Sequence, residues 1–393
     1  MHYIPRHIEA SVQNALNRDK SVILFGARQT GKTTLTKHLQ SNLVISLAIP
    51  EMRRRYELNP SLLIPEIEAI NIKTKLPLII IDEIQKVPDL LDAVQYLIDE
   101  KKAIFILTGS SARKLKHNSK LNLLPGRVVA LKLDPLALSE LNFATPNLED
   151  LLIYGSLPGI ITVSSNDDRE IDLESYVTIY LEEEIRAEAC VRNLSSFTRF
   201  LELAATESGN IVNLSKLSQE IGVAHTTIAA YYQILEDCLI AERIDPFLKT
   251  KTRRKLNKTP KYLFFDLGLR RIAAREGNKL PIKYMGLLFE QFIGLELIKQ
   301  THFAKKNIKI RFWRDLKGPE IDWIIDSTDQ LTPIETKWTD TPSLKDAKHL
   351  QLFLNEYPEA KNAFIVCRTP RRMKLSNNIY AIPWQELTTV FNE

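Results

Sequence analysis

The sequence predicts an α/β protein that begins with a parallel β-sheet, continues as a helical middle region and ends in a second α/β region. Short apolar runs rich in β-branched residues occur at 21–25, 76–82 and 103–111, and helical segments separate them. Such runs are typical of parallel strands that are buried on both faces of a sheet. Between the first sheet and the C-terminal region, apolar residues follow helical spacing. After residue 261 strand-like and helical segments alternate.

The length and composition predict a protein of several domains without a membrane segment. At 393 residues the chain is too long for one hydrophobic core and suggests two or three domains. The three cysteines, Cys190, Cys238 and Cys367, follow no metal-ligand or redox spacing. The N-terminal segment lacks the apolar core of a signal peptide, and no run approaches the roughly 18 apolar residues of a membrane span. These features predict a cytoplasmic protein.

The first candidate site is the segment GARQTGKT at 26–33, which fits the pattern G-x-x-x-x-G-K-[ST] between a predicted strand and a predicted helix. Gly26 and Gly31 let successive backbone N–H groups turn inward around a phosphate at a positive helix end. Lys32 supplies a charge to the β- and γ-phosphates, and Thr33 is placed to ligate Mg²⁺. A glycine turn beside a helix is the alternative without chemistry. The pattern predicts ATP and Mg²⁺ as cofactors, with nucleotide-binding residues Gly26, Ala27, Arg28, Gln29, Thr30, Gly31, Lys32, Thr33 and Thr34.

Two acids at the end of the second apolar run complete this site in the prediction. In LIIIDEIQ, Asp82 and Glu83 follow an apolar strand directly. Asp82 is expected to hold the Mg²⁺ shell, and Glu83 is expected to polarise the attacking water. An acidic helix cap is the alternative for both residues.

Two further positions are predicted to contact the γ-phosphate. In ILTGSS a polar residue closes the next strand, and either Thr108 or Ser110 is able to sense the phosphate. We choose Ser110, although turn chemistry explains the same letters. Arg127 is a candidate arginine finger, acting within its own chain or on a neighbouring copy in a homo-oligomer. A surface ion pair is an equal alternative for Arg127.

Several segments resemble, in order, those of a group of bacterial and archaeal AAA-type P-loop ATPases. They are ILFGARQTGKTTL, LIIIDEIQKVPDLL, ILTGSSARKL, LPGRVVALKLDPLALSEL, YGSLPGII, PKYLFFDLGLRR, GLLFEQFIGLEL and RFWRDLKGPEIDWIID. The resemblance covers nearly the whole chain and implies ATP binding and hydrolysis. It also implies an AAA-type ATPase domain at 1–150, a helical lid with a winged helix at 151–248, and a restriction-endonuclease-like domain at 249–393.

The second candidate site lies in that last domain. Restriction-endonuclease-like folds place an Asp on one strand and Glu-x-Lys on the next, and Asp322, Glu335 and Lys337 fit this motif. Because side chains alternate along a strand, Glu335 and Lys337 point to one face. With Glu290, or Glu320 in its place, the acids are predicted to hold Mg²⁺ while Lys337 stabilises a charged phosphorane. A cross-strand salt bridge on a solvated face is the alternative interpretation.

The middle region is predicted to contain a helix-turn-helix. One helix ends at Gly222 and a second runs from about His225 to Leu235, and the strand-like LIAERI after it suggests a winged helix. The residues expected to face outward on the second helix are His225, Thr226, Thr227 and Tyr231. Because that helix carries no Arg or Lys, base readout is weakly supported.

A basic segment follows at 249–283, where 12 Lys or Arg stand against two acids. This charge predicts contact with nucleic acid phosphates, together with the winged helix. A lid or protein-binding role for the winged helix is the alternative.

Two functions of different classes remain open from the sequence. In the first, the nucleotide state gates a metal-dependent nuclease-like domain that acts on DNA or RNA. In the second, the protein is a regulatory ATP switch that binds nucleic acid or a protein partner and cuts nothing. A DNA-remodelling motor is a third, weaker hypothesis.

Overall fold

A computed structural model describes residues 3–70, 75–111, 124, 126–141, 147–181, 194–249, 256–304, 307–316, 318–328 and 330–391. Within these ranges the strands form one five-stranded sheet, one six-stranded sheet and one two-stranded sheet. No helix in these ranges is long and apolar enough to cross a bilayer.

The N-terminal region contains a parallel sheet, as the sequence predicts. Its strands are β1 (Ser21–Phe25), β2 (Leu43–Ser46), β3 (Leu78–Asp82), β4 (Ile104–Gly109) and β5 (Val128–Lys132). They lie in the order β2-β3-β4-β1-β5, and every pairing is parallel. The three central strands are almost wholly buried because apolar clusters cover both of their faces. The Ile-rich runs of the sequence are therefore the central strands.

The helices of this region pack on the sheet. They are α1 (Ile8–Leu16), α2 (Lys32–Lys37), α3 (Pro50–Leu58), α4 (Leu63–Glu68) and α5 (Leu90–Asp99). The apolar side of α5 buries Leu90, Val94 and Leu97 at helical spacing against the sheet. Strand order reverses beside β1, since β4 and β5 flank it, so the loop after β1 lies at a crevice suited to a ligand.

The middle region is helical and ends in a two-stranded antiparallel sheet. Its helices are α6 (Leu148–Tyr154), α7 (Pro158–Ile161), α8 (Asn166–Ser175, followed by a π-helix over Tyr176–Leu181), α9 (Leu194–Thr206), α10 (Leu214–Ile221) and α11 (His225–Asp237). Gly222 ends α10 in the left-handed conformation with φ of +79°, and α11 begins at His225. Strands β6 (Ala241–Ile244) and β7 (Lys261–Phe264) pair across the predicted domain boundary at 248/249. Helix α12 (Leu267–Ala273) follows.

One expectation for this region is wrong. Tyr231 does not face outward: it is buried and its ring packs edge-on to Phe197 at 4.9 Å between centroids. His225 and Thr226 are exposed, as expected. In the basic segment, Lys261, Arg270 and Arg271 are buried in ion pairs with Glu290, Glu276 and Glu170. Residues 250–255 of that segment lie outside the described residues.

The C-terminal region is a six-stranded mixed sheet between two helices. Its elements in chain order are α13 (Ile282–Phe303), β8 (Lys309–Arg314), β9 (Glu320–Asp326), β10 (Leu331–Thr336), α14 (Lys348–Glu356), β11 (Ala363–Cys367), β12 (Met373–Ser376) and β13 (Ile379–Pro383), with a 3₁₀ helix over Trp384–Phe391. The strand order is β12-β13-β11-β10-β9-β8. Helix α13 packs on one face of the sheet and α14 on the other.

Helix α13 also joins this region to the N-terminal region. Glu296 Oε2 accepts from the Leu138 N–H at 2.8 Å, and Lys299 Nζ donates to the Leu136 carbonyl at 2.9 Å. One turn further on, His302 Nδ1 lies 2.5 Å from Asp134 Oδ2. The segment 134–140, which follows β5, is therefore fixed along the C-terminal half of α13.

Candidate functional site

The predicted phosphate loop lies at the carboxyl edge of the parallel sheet, between β1 and α2. Gln29 and Gly31 have positive φ values of 61° and 102°, which turn the backbone into a concave loop ahead of α2. Gly26 has no room for a side chain, because a Cβ there would lie 2.4 Å from the Leu133 carbonyl oxygen. The glycines of the motif are therefore required by the local geometry.

The side chains of Lys32 and Arg6 fix the phosphate loop by donating hydrogen bonds to its carbonyl oxygens. Lys32 is buried, and its Nζ donates to the carbonyl oxygens of Gly26 and Ala27 at 2.7 and 2.9 Å. Arg6 donates through Nη1 to the Thr30 carbonyl at 2.8 Å and through Nε to Glu140 Oε2 at 3.1 Å. The sequence reasoning missed Arg6, because its partners lie far along the chain and no motif surrounds it.

The other residues of the loop connect it to the middle region. Ala27 is buried within the apolar cluster of the middle helices. The Tyr176 hydroxyl donates to the Arg28 carbonyl at 3.1 Å. Gln29 and Thr34 are exposed at the surface of the loop. The loop is thus held by the sheet, by the segment after β5 and by the middle helices.

Asp82 lies beside the loop with the partners expected of a magnesium-shell residue. The Thr33 hydroxyl is 3.4 Å from Asp82 Oδ2, and the Thr108 hydroxyl donates to Asp82 Oδ1 at 2.5 Å. These residues meet because β1, β3 and β4 are parallel and end at the same edge. Thr33 and Asp82 supply hard oxygen donors, so they fit Mg²⁺ bound with a triphosphate.

Glu83 and Ser110 form one hydrogen-bonded group with a third residue, Gln85. The Ser110 hydroxyl donates to Glu83 Oε2 at 3.2 Å, and Gln85 Nε2 donates to Glu83 Oε2 and to Ser110 Oγ, the latter at 2.9 Å. Glu83 adopts a positive φ of 61°, which is uncommon for a residue with a side chain and marks a constrained position. The predicted pair of Glu83 and Ser110 is brought together, and Gln85 is a member that the sequence reasoning missed.

Arg127 is not brought to this site within one chain. It precedes β5, so it lies at the amino edge of the sheet. The length of β5, about 16 Å, separates this edge from the edge that carries the phosphate loop. There it forms a bidentate ion pair with Asp99, with distances of 2.6 and 3.1 Å. A role for Arg127 toward a neighbouring copy stays a prediction.

The second predicted site is assembled at the point where β9 and β10 separate. The two strands pair antiparallel up to Ile334 opposite Trp323, so the next residues along them, Glu335 and Asp322, face one another. Asp322 Oδ2 accepts from the Thr336 N–H and hydroxyl, both at 2.7 Å. Beyond Ile334 and Trp323, the side chain of Asp322 therefore replaces the backbone of β9 as the hydrogen-bond partner of β10.

Each glutamate of the second site has a lysine partner. Lys337 Nζ donates to Glu335 Oε1 at 2.7 Å, as the motif predicts. Lys261 Nζ donates to Glu290 Oε1 at 3.1 Å and lies over the rings of Phe312 and Trp323, at 5.1 and 5.6 Å from their centroids. Lys261 comes from β7 and not from the motif, and the sequence placed it only within a basic segment. The alternative acid, Glu320, is paired with Arg314 at 3.0 Å.

The acids of this site influence one another strongly. Burial, followed by the charge of Asp322, raises the pKa of Glu290 to about 7 and the pKa of Glu335 to about 8. Although burial acts to lower it, the pKa of Lys337 is raised by the Glu335 carboxylate. Glu335 Oε2 is buried without a hydrogen-bond partner among the described residues. A buried carboxylate oxygen in this position is costly unless a cation or proton meets it.

The predicted metal set is not gathered into one shell. Among the described residues, no group of three or more His, Cys, Asp or Glu side chains is arranged to hold a metal ion. The assignment of Asp322, Glu335 and Glu290 to one metal site stays a prediction. In the structure Glu290 is paired with Lys261. Asp322 and Glu335 remain a facing pair of hard oxygen donors, and the pair fits a divalent cation by its chemistry.

Comparison with protein families divides the chain into three parts. Residues 18–142 match the family described as AAA domain. This match supports an AAA-type ATPase. Residues 145–280 match a domain of unknown function (DUF8612), and residues 285–387 match another (DUF4143). The sequence prediction of an AAA-type ATPase is confirmed at this level, and the winged-helix and endonuclease-like assignments stay predictions.

Sequence similarity to two relatives covers almost the whole chain. The uncharacterized protein Rv2008c of Mycobacterium tuberculosis is 26% identical over 98% of this chain and 84% of its own length. The uncharacterized protein MJ1637 of Methanocaldococcus jannaschii is 22% identical over 96% of this chain and 87% of its own. Among solved structures, the Bacillus subtilis DNA clamp loader delta protein YqeN covers 58% of this chain and 87% of its own at 12% identity, with a TM-score of 0.28. A TM-score this low carries no argument about function.

Proposed function

We propose that the protein is a magnesium-dependent ATPase whose nucleotide state controls a C-terminal, restriction-endonuclease-like domain that acts on nucleic acid. The observation that carries the proposal is the position of the segment 133–140. The Leu133 carbonyl of this segment packs against Gly26 of the phosphate loop. The backbone of Leu136 and Leu138 in the same segment is hydrogen-bonded to side chains of α13. The same helix carries Glu290 of the second site, six residues before Glu296 and so about 9 Å along the helix axis.

The residues at the first site have distinct roles in ATP hydrolysis. Lys32 and the N–H groups of the loop bind the phosphates, while Thr33 and Asp82 would hold the magnesium ion. Bound Mg²⁺ would neutralise charge that develops on the phosphates. Glu83 accepts a proton from the attacking water, and Ser110 and Gln85 orient the Glu83 carboxylate through their hydrogen bonds.

The residues at the second site support phosphodiester chemistry. The elements α13, β8, β9, β10, α14 and β11 follow in the order helix, three strands, helix, strand, and the acids converge where β9 and β10 part. Asp322 and Glu335 would hold a divalent ion there, and such an ion lowers the pKa of a bound water. Lys337 places a positive charge beside Glu335, where it stabilises charge on a phosphate oxygen.

One experiment separates the two activities. Purified wild type, Lys32→Ala and Lys337→Ala are assayed for phosphate release from ATP and for Mn²⁺-dependent cleavage of DNA and RNA. We expect Lys32→Ala to lose ATP turnover and Lys337→Ala to lose cleavage while it keeps ATP turnover. Cleavage that survives in Lys337→Ala would contradict the role of the second site.

A regulatory ATP switch that cuts nothing is the second candidate function. It is favoured by the pairing of Glu290 with Lys261, which leaves two acids for a metal. Under this function the wild type binds nucleic acid or a protein partner in an ATP-dependent manner. Lys337→Ala then leaves that binding unchanged, and no cleavage is seen in any variant. The helix-turn-helix with its strand pair, β6 and β7, is proposed as a winged helix that serves as the lid or partner module in either function.

A further inference from the structure

We propose that the C-terminal domain binds single-stranded nucleic acid along a rim of cation–aromatic pairs, which we call the aromatic rim. The rim consists of three pairs: Lys283 with Tyr284, Arg368 with Trp338, and Arg372 with Tyr380. This inference rests on the proposed nucleic-acid partner of that domain, and it names both the surface and the form of the partner.

In each pair the cation lies close to the aromatic ring, and the pairs share one face of the sheet. The Arg368 guanidinium carbon lies 4.2 Å from the centroid of Trp338, and that of Arg372 lies 4.8 Å from the centroid of Tyr380. Tyr380 pairs in register with Phe364 of β11. Phe364, Tyr380 and Trp338 contribute to one apolar cluster, so these two pairs lie on the same face of the sheet. That face is the one on which α13 packs.

The third pair joins the rim through the first turns of α13. Trp338 packs edge-on to Phe289 of this helix at 5.5 Å between centroids, and Gly286 lies against the Trp338 side chain. Lys283 and Tyr284 precede Gly286 by one turn or less. Tyr284 is 41% exposed, so its ring is accessible to a ligand. The rim therefore runs from the start of α13 past Trp338 toward the edge strand β12.

The charge of the rim fits a polyanion. Residues 368–374 read RTPRRMK, with four basic side chains and no acid. Arg371, Arg372 and Lys374 are exposed. An acid beside the rim is Asp340, whose Oδ1 lies 3.0 Å from Arg368 Nε and whose side chain is 62% exposed. A phosphate competes with such an exposed carboxylate at little cost, because surface ion pairs contribute little stability.

The planar groups favour unpaired bases over duplex. Bases stack on aromatic side chains and on guanidinium planes only when they are unpaired and turned outward. The rim also passes close to the second site, because Trp338 packs on Phe289, the residue before Glu290 in α13.

The test is fluorescence anisotropy with a fluorescein-labelled 20-nucleotide oligo-dT, in EDTA so that no cleavage occurs. We expect Arg368→Ala/Arg372→Ala to bind about tenfold more weakly or worse. For this variant the slope of log affinity against log salt should be smaller in magnitude by about 1.4, which is about 0.7 for each phosphate that the variant no longer neutralises. The matched control, Arg53→Ala/Arg54→Ala, removes the same charge from α3 and should change binding less than about twofold. Equal weakening in the two double variants would overturn the proposal.

A second variant tests stacking separately from charge. Tyr284→Ala should weaken oligo-dT binding at least about fivefold, because one base no longer stacks on a ring. It should not affect binding of an abasic strand of the same length. Equal weakening with both strands, or duplex bound as tightly as oligo-dT by the wild type, would overturn the single-stranded form of the proposal. If removal of Arg368 lowers the melting temperature, the exposed pair Arg371→Ala/Arg372→Ala replaces it with the same expected result.

The failure of this inference is distinguishable from failure of the proposed function. ATP turnover is measured in the same preparations. A wild type that hydrolyses ATP and binds no oligonucleotide overturns the aromatic rim and leaves the ATPase assignment intact. Absence of both activities would remove the proposed function as well.

Discussion

The pair formed by Lys261 and Glu290 offers a quantitative test of how the second site is held. In Lys261→Met the side chain keeps its apolar stem over Phe312 and Trp323 but loses the charge. Both groups of the pair are mostly buried, with 9% and 21% of their side chains exposed. Removing one partner of a buried ion pair costs about 3 to 5 kcal/mol. Because Glu290 keeps some contact with solvent, we expect the lower end, about 3 kcal/mol at pH 8.

The pH dependence of this destabilisation has a defined sign. The pKa of Glu290 is raised to about 7 by burial and by Asp322, so the folded protein loses stability as pH rises from the ordinary carboxyl pKa toward 7. Lys261 acts to lower that pKa and so limits the destabilisation. Without Lys261 the folded pKa rises further, and the destabilisation continues to higher pH. The variant should therefore be close to wild type at pH 5 and clearly less stable at pH 8.

Urea unfolding followed by tryptophan fluorescence is the assay. The four tryptophans are Trp313, Trp323, Trp338 and Trp384, so the signal reports the C-terminal region alone. Lys258→Met is the matched control, because Lys258 is exposed shortly before the same strand. The double variant Lys261→Met/Glu290→Gln removes both charges and should recover most of the stability. A destabilisation equal to that of Lys258→Met, or strictly additive effects in the double variant, would refute the reasoning.

Three further predictions concern single residues. Gly26→Ala should abolish ATP binding in calorimetry, because the new Cβ would lie 2.4 Å from the Leu133 carbonyl oxygen; a normal binding isotherm would contradict this. Glu83→Gln should keep ATP binding and slow phosphate release by about 100-fold or more, whereas an unchanged rate would exclude Glu83 as the base. In EDTA, wild-type stability should fall between about pH 5 and pH 8, since folding favours the neutral form of Glu335, whose pKa is raised to about 8. In Glu335→Gln the urea midpoint of unfolding should fall less steeply with pH. An equally steep fall in the variant would show that Glu335 is not the cause.

The parts of the molecule that local patterns specify could be predicted from the sequence. The loop from Gly26 to Thr33, the strand that ends at Asp82 and the start of α11 at His225 all follow from residues within one short window. The burial of Tyr231 was also within reach, because Ile228, Tyr231 and Leu235 share one side of a helix at helical spacing. The Tyr231 ring packs in the core against Phe197, although its hydroxyl is able to donate a hydrogen bond.

The remaining features depend on contacts between distant segments. Lys261 meets Glu290 across 29 positions and Arg6 meets Glu140 across 134 positions, and no local pattern marks either pair. Arg127 is predicted from the sequence as a candidate arginine finger, yet the direction of β5 puts it at the opposite edge of the sheet from the nucleotide site. Such pairings are set by topology, which short sequence windows do not contain.

The most direct measurement of the central claim, that nucleotide binding at the N-terminal loop is transmitted to the C-terminal domain, is a titration of tryptophan fluorescence with ATP and Mg²⁺. None of the four tryptophans lies before residue 313, so any change must have travelled beyond the nucleotide site. We expect a saturable change in the wild type that is absent in Lys32→Ala. A flat signal in a wild type that calorimetry shows to bind ATP would contradict the claim.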